Sequence, residues 1–418
     1  MGIDAFVLCS SFVVIFCSMV YIMAYIERKR AVKKIGVVYP GVSVIVPMWN
    51  EEQTIEETLK SLQQVKAHYA GKMEIIVIDD HSTDDSLAIV KAVAAEDKDI
   101  RFYLKDANHC RGKSESLNQG IALAAYEIVG CVDADSYPAP DALTCAVEEF
   151  RDPRVGAVTT KLIVRKPKKI VEWFQQVEYI FSNFTLMSFD ALDSIYITRG
   201  PLSLYRKDVM EKISGFLPAG QTPTEDMEIT FRIRKAGYSI RASCKARVYT
   251  SVMKSWRALF WQRMRWNRGT LINLWMHRDF FFNPKYGMLS MFILPTATLM
   301  IFMVGVIISY TAYTFGCVAI NAVQKLYYTV YTGYYPDFTQ LGEWFSGAGV
   351  GNYFLLFIAV MAIYIAVNGV GIKESKEPVS IKYLLFTAVS PLLYNPALIF
   401  FWASALVMQT GKRAVRWR

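Results

Sequence analysis

Residues 74–80 read EIIVIDD, a β-branched apolar run that stops on two adjacent carboxylates. Glu74–Ile78 predicts a strand, and Ser82 or Thr83 can cap a helix that runs on to about Ala95. Working outward, the pattern repeats on both sides. Upstream, Val42–Pro47 (VSVIVP) is a strand followed by Asn50-Glu51-Glu52 and a helix over Thr54–Gln64. Downstream come a strand at Ile100–Leu104, a helix from about Ser114 to Ala125, and a strand at Glu127–Val132 that ends in Asp133-Ala134-Asp135. Strands alternating with helices of about ten residues predict an α/β domain with a mostly parallel sheet.

In such a sheet, ligands lie at the carboxyl ends of the strands. A carboxylate just past a strand also serves as a helix cap or turn former, and for one acidic pair the two readings stand level. Two pairs, Asp79-Asp80 and Asp133-x-Asp135, shift the reading to a ligand site. No GxGxxG follows the first strand and no GxxxxGK[ST] occurs, so dinucleotide and P-loop chemistry are weakly supported. Mg²⁺ and Mn²⁺ prefer carboxylate and diphosphate oxygens together, so metal–nucleotide binding suits these acids. One of Asp133 and Asp135 can reach a metal while the other reaches a ribose or base. Lys113, in Arg111-Gly112-Lys113-Ser114, can add a point charge to a diphosphate, although a single lysine at a helix start is ordinarily just solvated.

The flanks are of another kind. Of 418 residues 53% are hydrophobic, and the mean hydropathy is +0.23. Ala5–Ile26 carries no charge and exceeds the roughly 20 apolar residues a bilayer needs. It ends in Glu27-Arg28-Lys29-Arg30, so residues 1–28 read as a retained transmembrane helix with a cytoplasmic C-terminal end. Apolar runs at Met288–Val318, Tyr353–Ile372 and Tyr383–Met408 predict about three more helices within residues 286–410. The polar middle divides into a cytoplasmic catalytic domain (42–250) and an interfacial region (251–285). One helix before it and three after put both termini outside. The basic tail Lys412–Arg418 argues the other way, and a re-entrant segment in Met288–Val318 would flip the end, so topology beyond Phe280 stays open. The net charge of +9, from 46 Lys+Arg against 37 Asp+Glu, fits flanks beside anionic membrane lipids rather than nucleic-acid binding. The seven cysteines form no CxxC pair and the four histidines show no ligand spacing, so neither disulfides nor a zinc site is suggested.

Two helices adjoin the membrane part. Phe260–Gly269 reads FWQRMRWNRG, and basic-aromatic helices of this kind are usually anchors. On a helix, however, Phe260, Met264, Leu271 and Trp275 form one apolar stripe, whereas Gln262, Arg265, Trp266 and Gly269 fall opposite. An anchor has no need of that polar gathering, so the helix reads as both membrane-surface element and site. In Lys168–Asp190, Ile170, Phe174, Val177, Phe181 and Phe184 share a face, which predicts a second interfacial helix, with a buried core helix as the other reading.

In chain order, VSVIVPMWNEE, IIVIDDHSTDD, RGKSESLNQG, VDAD, TRGPLSLYR, PTED and QRMRW resemble the membrane-embedded, processive family-2 glycosyltransferases: cellulose, chitin, hyaluronan and poly-N-acetylglucosamine synthases. Each motif alone is weak, while the ordered set, spanning about Val42–Gly269, is highly specific. The resemblance implies a GT-A nucleotide-sugar transferase domain using a UDP-sugar and Mn²⁺ or Mg²⁺. It puts Pro47, Asn50, Glu51, Asp79, Asp80 and Lys113 beside the nucleotide, Asp133 near the nucleotide and the metal, and Asp135 on the metal. Asp226 matches the general base, Arg265 the arginine on the diphosphate, Trp266 the ring stacked on the acceptor sugar and Gln262 the partner of its hydroxyls. Arg263 is an extra candidate there, and Glu225, Gly200 and Pro201 should approach the acceptor. Asp226 follows the Gly/Pro-rich loop Phe216–Pro223 and would also suit the helix dipole at the start of Met227–Lys235.

The implied reaction is processive, inverting β-transfer that elongates a polysaccharide and moves it across the membrane, with UDP-N-acetylglucosamine favoured and UDP-glucose the second donor. The alternative is transfer of a single sugar to a lipid or lipid-phosphate acceptor, which QRMRW disfavours. Expected partners are the growing polysaccharide, membrane lipids, and a second copy or an export subunit to complete the channel. Three departures stand out from the family pattern: His81 for a common glycine, Trp49 for a frequent tyrosine, and Glu115 for a small residue.

Overall fold

The computed structural model describes residues 2–31, 39–105, 112–303, 306, 320, 323–324, 327–328, 330–333, 354–375 and 377–410. The apolar run Met288–Val318 beyond Met303, Arg111 of the RGKS stretch and the basic tail Lys412–Arg418 fall largely or wholly outside these residues.

The strands β1 (Val42–Met48), β2 (Met73–Asp79), β3 (Ile100–Leu104), β4 (Ile128–Cys131), β5 (Ser136–Pro138), β6 (Val155–Val164), β7 (Ser203–Arg206) and β8 (Ser239–Thr250) form one eight-stranded sheet in the order β3-β2-β1-β4-β7-β6-β8-β5. Its first half is parallel, with β1 between β2 and β4. Every residue of β2 is buried, because helices cover both faces. Successive residues of β1 therefore enter two cores. Val44 and Val46 meet Leu59 and Leu62 of α2 (Ile55–His68), near Val90 of α3 (Ser86–Glu96), whereas Ile45 meets Leu117 and Ile121 of α4 (Lys113–Leu123).

The second half is mixed rather than parallel. β7 runs antiparallel to both β4 and β6, β8 is parallel to β6, and β5 closes the edge antiparallel to β8. The path of the chain explains the reversal. After β6 and the short α5 (Ala142–Val147) that precedes it, the 22-residue α6 (Ile170–Ala191) carries the chain back along the sheet. Residues 192–202 then return it to the carboxyl edge, so β7 must descend. It is followed by α7 (Lys207–Lys212), α8 (Glu225–Lys235) and α9 (Trp256–Met276), whose start is capped by the Ser255 hydroxyl accepting from the Ala258 amide at 3.2 Å.

Among the described residues, three helices are long and apolar enough to cross a membrane: within α1 (Gly2–Ala31), α11 (Phe354–Ser375) and α12 (Ile381–Thr410). A shorter apolar helix, α10, spans Leu289–Met303. All three long helices pack on α6, so much of its apolar face is covered. Phe174, Val177 and Phe184 are buried, but so are Gln175, Asn183, Met187 and Asp190 on other sides, while Ile170 and Phe181 stay exposed. α6 thus lies between the sheet and the apolar helices, because both neighbours claim a face of it. The stripe on α9 divides in the same way: Met264 is fully buried and Trp275 is 72% exposed.

A buried carboxylate joins the two parts. Asp190, at the end of α6, takes Arg28 of α1, the Arg241 guanidinium at 3.3 Å and the Ala242 amide at 2.9 Å. Asp190→Ala would leave both arginines short of an acceptor, and a loss of about 3–5 kcal/mol is expected from breaking a buried ionic cluster. Unfolding of the full chain in detergent, compared with wild type, measures it.

Candidate active site

The carboxyl edge of the sheet gathers the loops after β1, β2 and β4, residues 192–202 and the heads of α4 and α8. The loops after β1 and β2 hold one another. Asn50, at φ 55°, accepts from the Thr83 amide at 2.7 Å through Oδ1, and its own amide donates to Ser82 Oγ at 3.0 Å. Pro47, the penultimate residue of β1, lies opposite Ile78 of β2. His81 has φ 62°, the left-handed region glycine enters without cost, which accounts for the glycine of the family pattern and shows that the departure keeps the backbone path.

Asp79 and Asp80 divide their work. Asp79 Oδ1 accepts from the Ser82 amide at 3.2 Å, but its buried Oδ2 has no partner among the described residues. Asp80 accepts from Lys105 Nζ at 3.0 Å and from the Gly112 amide at 2.8 Å, fastening the start of α4. Lys113, the first residue of α4, reaches Asp133 at 2.6 Å and Glu225 at 3.1 Å. Gly200 seals this bridge: a Cβ there would lie 2.9 Å from Asp133 Oδ2 and 3.1 Å from Lys113 Nζ. Pro201 follows, its carbonyl accepting from Thr160 Oγ1 at 3.2 Å.

Asp135 is pushed up to about 7, first by burial and then by the charges of Asp133 and Glu51. Glu51 is itself raised by burial, although Thr54 Oγ1 donates to it at 2.7 Å. Among the described residues no group of three or more His, Cys, Asp or Glu side chains is placed to hold a metal. The donor set nevertheless fits a hard divalent cation that draws its remaining ligands from a diphosphate and water. Asp133 and Asp135 offer carboxylate oxygens one residue apart, beside an excess of negative charge.

Asp226 heads α8. Its Oδ1 accepts from the Met227 amide at 2.8 Å, and its carbonyl accepts from Thr230 Oγ1 at 2.6 Å. Burial and then Glu225 push the carboxyl up to about 7, against the pull of Lys113 and Arg265. For Glu225, burial works the same way, but Lys113 and then Arg265 outweigh it and hold the group below its ordinary value. One acid of the pair is kept charged and its neighbour is poised near neutrality.

α9 lies directly over this head. A Cβ on Gly269 would come 2.3 Å from Thr224 Oγ1, and Asn273 Nδ2 donates to the same oxygen at 2.9 Å. Arg265 donates to the Pro223 carbonyl at 3.0 Å. Arg263 turns inward instead. It is buried, donates to Gln262 Oε1 and to Glu178 Oε2, both at 2.7 Å, and lies 4.1 Å from the Trp266 ring centre. Tyr394 of α12 donates to the same Glu178 oxygen at 2.5 Å. Arg263 therefore braces Gln262 and Trp266 against α6 and α12. Lys105, Glu178, Thr224, Asn273 and Tyr394 were not singled out from sequence. Thr224 sits in PTED and Glu178 in the amphipathic stretch 168–190, but the sequence signal for each of the five is no more than a polar side chain whose partner lies far away in the chain.

Residues 40–269, more than half of the chain, match the family described as glycosyltransferase like family 2. The chain belongs to this family. The matched span opens just before β1 and ends at Gly269, so this glycosyltransferase carries the whole carboxyl edge and QRMRW inside its family region. Similar curated proteins include the poly-beta-1,6-N-acetyl-D-glucosamine synthase of Staphylococcus aureus strain COL, 30% identical over 256 residues, covering 61% of this chain and 60% of that protein. The synthase of the same name from Staphylococcus epidermidis is 28% identical over 357 residues, covering 85% and 80%. The chain thus matches about three fifths of the length of the S. aureus protein. Among solved structures, the mannosyltransferase PcManGT from Pyrobaculum calidifontis in complex with GDP-Man and Mn²⁺ is similar with a TM-score of 0.57 and 22% identity, over 92% of this chain and 98% of that one. What the two share is the fold, the mixed α/β sheet of GT-A transferases.

Two substitutions test the packing of this glycosyltransferase site. Gly200→Ala drives a methyl into the Lys113–Asp133 bridge, and Gly269→Ala drives one into Thr224. Each is expected to lower transfer by about 10²-fold, the cost of an ångström-scale misplacement, and the Gly269 variant also to lose about 1–3 kcal/mol of stability to overpacking. Glu178→Gln removes the anchor of Arg263 and should raise KM more than it lowers kcat, because Gln262 and Trp266 loosen while Asp226 keeps its bonds to the Met227 amide and Thr230. Steady-state kinetics separates the two effects.

Proposed function

We propose that the chain is a processive, inverting β-glycosyltransferase that elongates a polysaccharide from a UDP-sugar at a cytoplasmic catalytic domain and passes the product across the membrane. The observation that carries this reading is the contact of α9 with the head of α8. Through Gly269 and Asn273, the helix bearing Gln262 and Trp266 is packed onto Thr224, two residues before Asp226. A sugar stacked on Trp266 would then be held at a fixed place relative to the base, as repeated use of one acceptor site requires.

In this mechanism Asp226 takes the proton from the acceptor hydroxyl. The freed oxygen attacks the anomeric carbon of the donor, and the bond from that carbon to the diphosphate breaks on the opposite face, which inverts the configuration. Asp133 and Asp135 would hold a divalent cation, which when bound supplies Lewis-acid neutralisation of the diphosphate. Lys113 stands ready to exchange part of its bridge to Asp133 for the same charge. Asp79, with one buried oxygen unpaired, and Asn50 and Glu51 line the nucleotide side. Arg265 faces Glu225 and Asp226 across the site and can meet the diphosphate from the acceptor side.

The relatives named poly-beta-1,6-N-acetyl-D-glucosamine synthase favour UDP-N-acetylglucosamine as donor and a β-1,6-linked product, with UDP-glucose second. The helices long enough to cross a membrane pack on the same α6 that holds Glu178, and this supports coupling of synthesis to export.

The test uses the full chain in detergent with Mn²⁺ or Mg²⁺ and a panel of UDP-sugars, following UDP release and product size. The expected result is long polymer from UDP-N-acetylglucosamine, abolished by Asp226→Asn. A singly glycosylated lipid as sole product would overturn the processive reading. The pH profile adds a second check. A base raised to about 7 is protonated below that pH and ionised above it, so kcat/KM should fall about tenfold per unit below neutrality. A flat profile from pH 5 to 8 would remove Asp226 from the role of base.

A further inference from the structure

The Gly/Pro-rich loop 215–223 leads from α7 to the head of α8, and α4 holds it along one face. Asn118 grips its start: Oδ1 accepts from the Phe216 amide and Nδ2 donates to the Phe216 carbonyl, both at 2.8 Å. Arg232 of α8 donates to the Gly215 carbonyl at 2.6 Å. The far end is held by α9, through Arg265 on the Pro223 carbonyl and Asn273 on Thr224. Between these anchors the tip, residues 217–221, makes one hydrogen bond to another element among the described residues. Glu115 Oε1 accepts from the Ala219 amide at 2.6 Å. Residues 115 and 118 are neighbours on the helix surface, so one face of α4 is given over to the loop.

The tip is also packed closely there. Gly112, at φ 152°, lies against it: a Cβ on Gly112 would come 2.6 Å from the Cβ of Ala219 and 2.9 Å from Glu115 Oε2. That second carboxylate oxygen is buried rather than turned to water. The same Gly112 donates its amide to Asp80 at 2.8 Å, on the nucleotide side of the site. Ala219, Gly220 and Gln221 are themselves exposed, and Gly220 has φ 100°. Such a tip has little packing of its own to fix it, so its place against Gly112 depends on Glu115. The helix dipole alone favours a carboxylate in the first turn of α4, but it asks for no partner in the loop. The small residue common at this position in the family could not reach Ala219.

We propose that Glu115 is a positioning residue for the donor: by holding Ala219 it keeps the loop tip against Gly112 as a wall of the nucleotide side. This rests on the UDP-sugar reading above. The head of α8 is held separately through Thr224, so loss of the latch acts on donor binding rather than on Asp226.

Calorimetric titration of the full chain in detergent with UDP and Mn²⁺ tests this, with hydrogen exchange of the loop and donor kinetics read in parallel. Glu115→Ala is expected to weaken UDP about tenfold, the fold-change of one hydrogen bond to a charged group. It should also speed exchange of residues 217–221 and raise the donor KM more than it lowers kcat. Glu115→Gln keeps a side-chain oxygen that accepts from the Ala219 amide and should restore most of the affinity, which a role through charge alone would not allow. Ala219→Pro deletes the same bond from the exposed loop and leaves α4 untouched. It should weaken UDP alike, add nothing to Glu115→Ala in the double variant, and serves if Glu115→Ala fails to fold. Unchanged UDP affinity in Glu115→Ala or Ala219→Pro, or equally weak binding by Glu115→Ala and Glu115→Gln, overturns the proposal. A wild type that binds no UDP overturns the UDP-sugar reading itself, so the two failures are told apart.

Discussion

Lys113 is the hinge pin of the site. Its ammonium lies between Asp133, delivered by the parallel half of the sheet, and Glu225, delivered by the helix that follows the reversed half. Without that cation, Glu51, Asp133, Asp135, Glu225 and Asp226 would face one another across a partly dehydrated edge, where like charges repel strongly and carboxyls give up their ionisation. The bridge also decides which acid titrates. Glu225 is held low by Lys113 against its burial, and its charge adds to the burial that raises Asp226 toward neutrality. Gly200 belongs to the same constraint, since any larger residue would enter the space the bridge occupies.

The second organising element is α6. It gives one face to the sheet and others to α1, α11 and α12, and its polar residues are spent on joints rather than on solvent. Asp190 ties it to Arg28 at one end, and Glu178 ties it to Tyr394 and Arg263 farther along. Through Arg263 this second joint reaches Gln262 and Trp266, the candidate acceptor platform. A displacement of α12 would therefore be felt at the platform through three hydrogen-bonded groups, a short and stiff path.

Some of this architecture was legible in the residues themselves. The β-branched runs name β1, β2 and β4, and the acids after them name the candidate edge, because side-chain branching and strand burial are local properties. The opposition of Trp266 and Gln262 to an apolar stripe is likewise a matter of helical period. Lys113, Asp133 and Asp226 were legible through the ordered motifs, though not the bridge that links them, since the motifs carry order and no distance.

The tertiary structure alone decided the rest. The antiparallel entry of β7 follows from the return path of residues 192–202, which have no periodicity to read. Periodicity detects a single amphipathic face of α6, whereas its burial on several sides depends on helices far away in the chain. Arg263 and Arg265 are neighbours of the same type in one motif, and only packing sends the first inward to Glu178 and the second toward Glu225 and Asp226. Strands, helix faces and acidic loop ends are set by interactions between near neighbours in the chain, so sequence determines them. Which charge meets which, and which glycine must stay a glycine, depends on groups brought together across tens to hundreds of residues, and that is settled only when the chain has packed.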